Sequence, residues 1–257
     1  MTSLLDATKP FIDKFAGIRI STRPDCIDDE ILQILKSYKV TSIELGAQSM
    51  DEVVLSANNR GHKSDDVINA SILIKKYGFS LGLQMMTGLY KSDFEKDIET
   101  AEKFIALNPD TVRIYPTVIM KDTALEDFYL SGEFKPYTLD DSVALCSKLI
   151  RMFESHNIKI IRLGLHYSES LIEQSYGNNY HPAFKELCEN KIFLDTFLEK
   201  AKAYDKKDFS VFINEKSLSK FLGQKKSNLF TLENMGYKIK LNFDSSLKKY
   251  DLILAQC

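Results

Sequence analysis

Short, largely apolar runs recur along the first two thirds of the chain, and each is followed by a longer stretch whose apolar residues repeat at helical spacing. IRIST (18–22) leads into DDEILQILKSYKV, where Ile31, Leu32, Ile34 and Leu35 share a helix face. SIELGAQ (42–48) leads into MDEVVLSANN and then SDDVINASILIKKYG, striped by Val67, Ile68, Ile72 and Ile74 and closed by Gly78. FSLGLQMM (79–86) precedes SDFEKDIETAEKFIALNP, with Ser92 as predicted N-cap, Glu95 three residues on and Pro109 as the stop. TVRIYPTVIM (111–120) precedes a short helix, DTALEDFYLSG, and a longer one, LDDSVALCSKLIRMFESHN. KIIRLGLH (159–166) reads as a fifth strand, and residues 3–15 as an opening helix with no strand before it.

Strand–helix units repeated with short connections predict an α/β fold: a parallel sheet curled toward a barrel by right-handed crossovers. Five such strands are too few for a closed eight-stranded barrel, so an incomplete TIM-like barrel is expected. YSESLIEQSYGNN (167–179) is polar and aperiodic and reads as a loop; residues 181–204 read as a long helix. The tail then changes character: a strand at DFSVFIN (208–214), a helix, the turn GQKK (223–226), a second helix, the strand GYKIKLNFD and a last strand, YDLILA (250–255). The expected domains are residues 1–190, the partial barrel, and 191–257, a small α+β module.

Charge sharpens that division. Residues 200–249 hold twelve lysines against five acidic residues, a net +7, whereas the whole chain is −2. The rest is therefore strongly acidic by comparison, which suggests two parts with different partners. A hydrophobic content of 44% fits a packed core, and no apolar run is long enough to span a bilayer, so no membrane partner is expected. The start, MTSLLDATKPFIDKF, lacks the features of a signal peptide, which predicts a cytoplasmic protein. The four cysteines are dispersed: Cys146 lies in an apolar-periodic run and reads as a core thiol, and Cys26 follows a strand end.

In a parallel α/β array, ligands bind at the carboxyl ends of the strands. Those ends carry Ser21, Thr22 and Arg23, then Gln48, then Gln84 and Met85, then Tyr115, then His166. Two glutamines on neighbouring strands either bond nearby backbone inside the barrel or face a ligand; the residues alone leave both open. No GxSxG, HExxH, Walker loop or zinc spacing is present, which excludes the corresponding hydrolase and nucleotide-binding signatures. No residue is singled out as catalytic and none as a metal ligand.

STRPD, ELGAQS, NRGH (59–62), LQMM and above all RIYPTVIMKDTALEDFYLSGEFKPY (113–137) resemble segments of radical S-adenosylmethionine (SAM) enzymes, in particular proteins like the Elongator catalytic subunit and oxygen-independent coproporphyrinogen III oxidase. The resemblance runs from Gly17 to about Leu187. It implies a TIM-like barrel, SAM and a [4Fe–4S] cluster as cofactors, and radical chemistry in which SAM cleavage yields a 5′-deoxyadenosyl radical. It places Ser21, Gln48, Arg60 and Gln84 where relatives contact SAM, the guanidinium suiting the SAM carboxylate and the amides its hydroxyl or amino-acid groups. A solvated surface arginine is the competing reading of Arg60, and His62 reads as a hydrogen-bonded structural residue.

The chain departs from the family in three ways. The CxxxCxxC that ligates the cluster is absent, GLYK (88–91) stands where relatives have GLPG, and RLGLHYSES replaces a region commonly holding Gln and Pro. The two strands that precede IRIST in the family, one bearing the cysteines, have no counterpart, so the sequence reads as N-terminally truncated. IRIST is then expected to be an exposed edge strand that self-associates or receives a separately encoded N-terminal fragment. The tail resembles a KH nucleic-acid-binding core with a degenerate GxxG loop: Gly223 matches, Lys226 replaces the second glycine, and Lys225 and Lys226 are candidate contacts to RNA phosphates. No segment resembles an acetyltransferase domain, so acetyl-CoA chemistry is not expected. Three functions remain in contention: an Elongator-like RNA-modification protein inactive without the cluster segment, a non-catalytic RNA-binding protein, and a non-functional remnant.

Overall fold

A computed structural model of the chain describes residues 2–176 and 180–256 and divides into two compact units, Met1–Thr138 with Leu149–Tyr180, and Leu139–Lys148 with His181–Cys257. In the first unit, α1 (Thr2–Asp6) and a 3-10 turn (Lys9–Lys14) lead to β1 (Ile18–Thr22), α2 (Asp29–Ser37), β2 (Val40–Gln48), α3 (Glu52–Ala57) and α4 (Ser64–Lys76). They are followed by β3 (Ser80–Thr87), α5 (Phe94–Ala106), β4 (Thr111–Pro116), the short β5 (Ile119–Met120) and α6 (Ala124–Leu130). The helix α7 (Leu139–Ser155) precedes β6 (Lys159–Leu163), α8 (Glu169–Gln174) and β7 (Ser175–Tyr176).

The main sheet has five parallel strands in the order β1-β2-β3-β4-β6, so successive strand–helix units lie side by side, as the alternating pattern predicts. Pleating sorts each strand into two chemistries. Ile43 and Leu45 of β2, Leu81 and Leu83 of β3, and Val112 and Ile114 of β4 are buried, together with Leu32 and Leu35 of α2, Val67 and Ile74 of α4 and Phe104 of α5. The intervening positions Glu44, Gln84 and Arg113 form the opposite, polar face.

Local chemistry explains three departures from the sequence reading. The opening helix stops at Asp6 and gives way to a 3-10 turn, because Pro10 lacks an N–H and disfavours helical geometry at the residue before it. Helix α5 is capped by Asp93, whose carboxylate accepts from Lys96 N at 2.9 Å, rather than by Ser92, whose hydroxyl turns to Asp97. The stretch read as a loop at 167–179 contains α8, capped by the Ser168 hydroxyl, and β7, which pairs antiparallel with β5. Its polar composition masked both elements, and residues 177–179 of that reading lie outside the described residues.

The second unit, apart from its share of α7, holds α9 (Phe184–Ala201), β8 (Asp208–Ile213), α10 (Leu218–Leu222), α11 (Ser227–Asn234), β9 (Lys238–Phe243) and β10 (Leu252–Gln256). Its sheet runs β10-β8-β9, with β8 parallel to β9 and antiparallel to β10. Phe193, Phe197, Phe209 and Phe221 are all fully enclosed in its core, with Phe197 and Phe209 edge to face at 5.7 Å. Cys146 and Cys188 are buried within the same unit, in keeping with a core thiol at 146.

Candidate functional site

Glu44 is the centre of the polar face of the main sheet. It sits midway along β2, 1% exposed, and accepts Arg113 Nε at 2.6 Å on one oxygen and an Arg113 terminal nitrogen at 3.1 Å on the other. Arg19 of β1 approaches the second oxygen at 3.2 Å, and the Gln84 amide of β3 donates to the first at 2.9 Å. The same amide reaches the Ser21 hydroxyl at 3.3 Å, and Arg113 reaches the Tyr115 hydroxyl at 3.5 Å. Strand register makes this constellation: Ser21 lies beside Glu44, Glu44 beside Gly82, and Gln84 beside Arg113. Burial pushes the Glu44 carboxyl upward, but the hydrogen bonds from Arg113 and Gln84 and the charges of Arg113 and Arg19 outweigh it, so the group stays below the ordinary glutamate range. Two guanidiniums against one carboxylate leave the face with surplus positive charge.

At the carboxyl end of β2 the backbone turns sharply. Gln48 has φ +65° and is 9% exposed, and Ser49 N donates back to Ala47 O at 2.8 Å. The imidazole Nε2 of buried His62 lies 3.0 Å from the same Ala47 carbonyl, which fixes the NRGH segment to this turn and gives His62 a structural role. Arg60, in that segment, is half-buried, and among the described residues no carboxylate pairs with it. Burial lowers its pKa, and the nearby charge of Arg23 lowers it further. Arg23 itself is tied to Asp25 at 2.6 and 2.9 Å. An unpaired, half-desolvated guanidinium suits an incoming carboxylate.

The GLYK turn after β3 is held by a buried acid. Asp97, 2% exposed, accepts Gly88 N at 2.8 Å, the Ser92 hydroxyl at 2.7 Å and the Tyr137 hydroxyl at 3.4 Å. Burial pushes its pKa up to about 6 despite those donors. Gly88 has φ +70°, and a side chain there would collide with the Tyr137 ring. Tyr90 stacks on Phe128 at 4.4 Å, and Lys91 takes the left-handed conformation, φ +63°.

Of the four residues expected to contact SAM, the structure bonds Ser21 to Gln84 directly, whereas Gln48 is the last residue of β2 and Arg60 follows α3. The sequence reading missed Glu44, Arg113 and Arg19, the residues that organise the floor. Their signal was a charge in the middle of an otherwise uncharged strand, visible in SIELGA, TVRIY and IRIST. Backbone bonding does not explain Gln84, which spends its amide on two side chains.

No ligand set for a [4Fe–4S] cluster is formed by the described residues. Among the described residues no group of three His, Cys, Asp or Glu side chains is close enough to hold a metal, and Cys26 belongs to the first unit while Cys146 and Cys188 belong to the second.

In the second unit, GQKK connects α10 to α11 between two parallel strands. Gly223 is buried with φ +77°, its N–H donates to Ser219 O at 3.0 Å, and an added Cβ would meet Asn228 N at 2.9 Å. Packing therefore demands glycine at this position. Lys225 and Lys226 are exposed and both left-handed, at φ +52° and +63°.

Comparison with known proteins agrees with this geometry. The Radical SAM superfamily matches residues 4–105, and the Radical_SAM C-terminal domain matches residues 109–193. Human Elongator complex protein 3 is 34% identical over 144 residues, covering 55% of this chain and 26% of that protein. The tRNA uridine(34) acetyltransferase of Methanocaldococcus infernus is 36% identical over 132 residues, covering 50% of this chain and 24% of that one. The chain thus spans about a quarter of the length of these relatives. The solved structure of M. infernus Elp3 with an N-terminal deletion superposes with a TM-score of 0.59 at 26% identity, covering 74% of this chain and 43% of that chain. With the two domains matched in succession along a five-stranded parallel sheet, the chain belongs to the radical SAM superfamily, with Elongator-type proteins among its homologues.

Proposed function

We propose that this chain is a SAM-binding scaffold of an Elongator-like tRNA-modification system, and that the chain by itself does not assemble the iron–sulfur centre. Arg60 carries the reading: a half-buried guanidinium with no carboxylate partner among the described residues, in the NRGH segment that His62 ties to the turn ending β2, where the SAM carboxylate is expected. Ser21, Gln48 and Gln84 complete the set, Gln84 being held in place by Glu44 with its carbonyl oxygen left over for a ligand hydroxyl or amine. Bound with a cluster, SAM supplies radical chemistry; this chain's residues bind and orient it. Isothermal titration with SAM tests the reading. Wild type should bind stoichiometrically, and Arg60→Met should weaken binding about ten- to hundredfold through loss of a charge-assisted pair. Absence of SAM binding by the folded wild-type chain would overturn it. Anaerobic reconstitution with iron and sulfide should give no stoichiometric four-iron centre, because the thiolates are dispersed.

A second reading concerns the tail, and the strand–helix–GQKK–helix–strand order favours it. Lys225 and Lys226, exposed beside the N-terminus of α11, are suited to phosphate contact in single-stranded RNA. Binding should be weak and strongly salt-dependent. Replacing both lysines by alanine should remove most of it, whereas failure of wild type to bind at low salt would leave the segment a structural extension only.

A further inference from the structure

The polar face of the main sheet continues past Arg113 onto β6. Arg113 lies beside Arg162 of β6, and one position further on buried Ile114 lies beside buried Leu163, so the two guanidiniums share the face that carries Glu44 and Gln84. An irregularity in the pairing makes that meeting. Val112 pairs with Ile160 but Arg113 pairs with Arg162, so β6 holds one extra residue, Ile161, between the two pairs. In an unbroken register Ile161 would stand beside Arg113; the bulge re-aims the strand and puts an arginine there instead. Like charges directly across neighbouring strands oppose folding, so the sheet keeps this pair against its own stability.

Both arginines have donors left over. Arg113 uses three of its five, two on Glu44 and one on the Tyr115 hydroxyl at 3.5 Å. Arg162 gives its Nε–H to the Gly164 carbonyl at 2.9 Å, which fixes the guanidinium, and its terminal nitrogens have no partner among the described residues. No carboxylate among those residues pairs with Arg162, since Glu44 is shared by Arg113 and Arg19. Arg162 is half-buried, so water reaches these donors only in part. Its strand stands at the other end of the sheet order from β1, which carries Ser21.

We propose that Arg162 and the unused side of Arg113 form an anion subsite, and that the substrate held on this face carries a phosphate group. The substrate assignment rests on SAM occupying Ser21, Gln48, Arg60 and Gln84; the subsite itself does not. Two forks on adjacent strands offer N–H groups from two directions, which suits the tetrahedral oxygens of phosphate better than a planar carboxylate, which a single fork satisfies. A terminal monoester and a backbone diester both present that chemistry, and they differ in charge.

The full chain is titrated at low salt with methyl phosphate, dimethyl phosphate and acetate while the arginine Nε–H signals are followed by nitrogen–proton correlation NMR; SAM is titrated separately. Methyl phosphate should shift Arg162 and Arg113 saturably and bind about fivefold or more tighter than acetate. Dimethyl phosphate binding more tightly than methyl phosphate would identify the diester as the occupant, and the reverse order the monoester. Arg162→Gln should weaken methyl phosphate, read at Arg113, about tenfold, and Arg162→Lys should recover part of that loss. Because it removes one of two adjacent like charges, Arg162→Gln should hold or raise the urea midpoint. Four results overturn the proposal. They are no saturable shift at Arg162 at millimolar methyl phosphate, acetate binding as tightly as methyl phosphate, and a lower urea midpoint of Arg162→Gln with unchanged phosphate affinity, which marks a structural arginine. The fourth is displacement of methyl phosphate by SAM, which makes the pair part of the SAM site. If phosphate binds and SAM does not, the subsite stands and the substrate assignment falls with the SAM reading.

Discussion

Each unit buries one carboxylate against two cations, and the two arrangements leave different things over. Glu44, in the first unit, meets guanidiniums from β1 and β4, all rooted in the same sheet. Glu189, 6% exposed on α9 of the second, meets the ammonium groups of Lys220 at 3.3 Å and Lys249 at 3.1 Å and the Tyr250 hydroxyl at 2.8 Å. Those partners come from α10 and from the segment before β10, so Glu189 fastens separate elements together. In both, burial pushes the carboxyl up and its partners more than reverse the shift. A guanidinium, however, is a rigid fork with five donors, and two of them around one carboxylate leave unused N–H groups on an open face. The lysines around Glu189 are flexible and can return to water. A buried acid surrounded by arginines on one sheet face therefore reads as the floor of a binding site, and one that gathers lysines from several elements reads as a structural tie.

The largest effect that can break this contrast is removal of each acid. Glu44→Gln strands two guanidiniums beside a neutral amide and should cost about 3–5 kcal/mol in urea unfolding. Glu189→Gln should cost about 1–3 kcal/mol, because its lysines re-solvate more readily. Equal losses, or the reverse order, would break the comparison.

Asp97 sharpens it from the opposite side, being a buried carboxylate surrounded by donors but with no cation paired to it among the described residues. Its folded pKa, about 6, lies above the unfolded value near 3.8, so the native state binds the proton more tightly. Its stabilising contribution is complete below the unfolded pKa and is lost as pH rises through 6, about 3 kcal/mol in all. Glu44 has the opposite sign: its pKa is depressed, so its contribution is present above the unfolded glutamate value and disappears as pH falls through the folded one. Urea unfolding from pH 4 to 7 should show wild type losing stability relative to Asp97→Asn over that interval. A parallel pair of curves would remove Asp97 as a titrating group.

The five parallel strands were legible because each is a short apolar run followed by a helical stripe, the two periodicities that burial imposes. The buried cores of β2 and β3, with Ile43, Leu45, Leu81 and Leu83, follow directly. The site was half legible. Ser21, Gln48 and Gln84 could be read from strand ends, but Glu44 and Arg113 sit mid-strand, and their meeting depends on register between strands remote in sequence. The elements α8 and β7 were invisible for a similar reason: β7 exists only through pairing with β5, which no local pattern encodes. That packing also demands glycine at 223 was not legible, since its contact with Asn228 arises only once α10 and α11 fold back on one another.

The smallest effect tests whether the second unit has any surface like that of the first. Lys226 adopts φ +63° at the start of α11, a conformation that costs a side-chain-bearing residue about 1–2 kcal/mol and glycine almost nothing. Glycine also gives the unfolded chain extra freedom, which offsets part of that gain. Lys226→Gly should therefore stabilise the protein by about 0.5–1 kcal/mol, read as a higher urea midpoint with an unchanged slope. The same variant separates two kinds of phosphate contact. If the loop approaches phosphate through its backbone, affinity for single-stranded RNA should hold or rise despite the lost charge. If the lysines act as a generic basic patch, affinity should fall, and the dependence on log salt should flatten by roughly 0.7 for the missing contact. A variant that is stabilised but loses RNA affinity would make Lys226 a residue kept at a strained position for its charge, and would bring the second unit closer to the first, where surplus positive charge on Arg19 and Arg113 is likewise held in place by the fold.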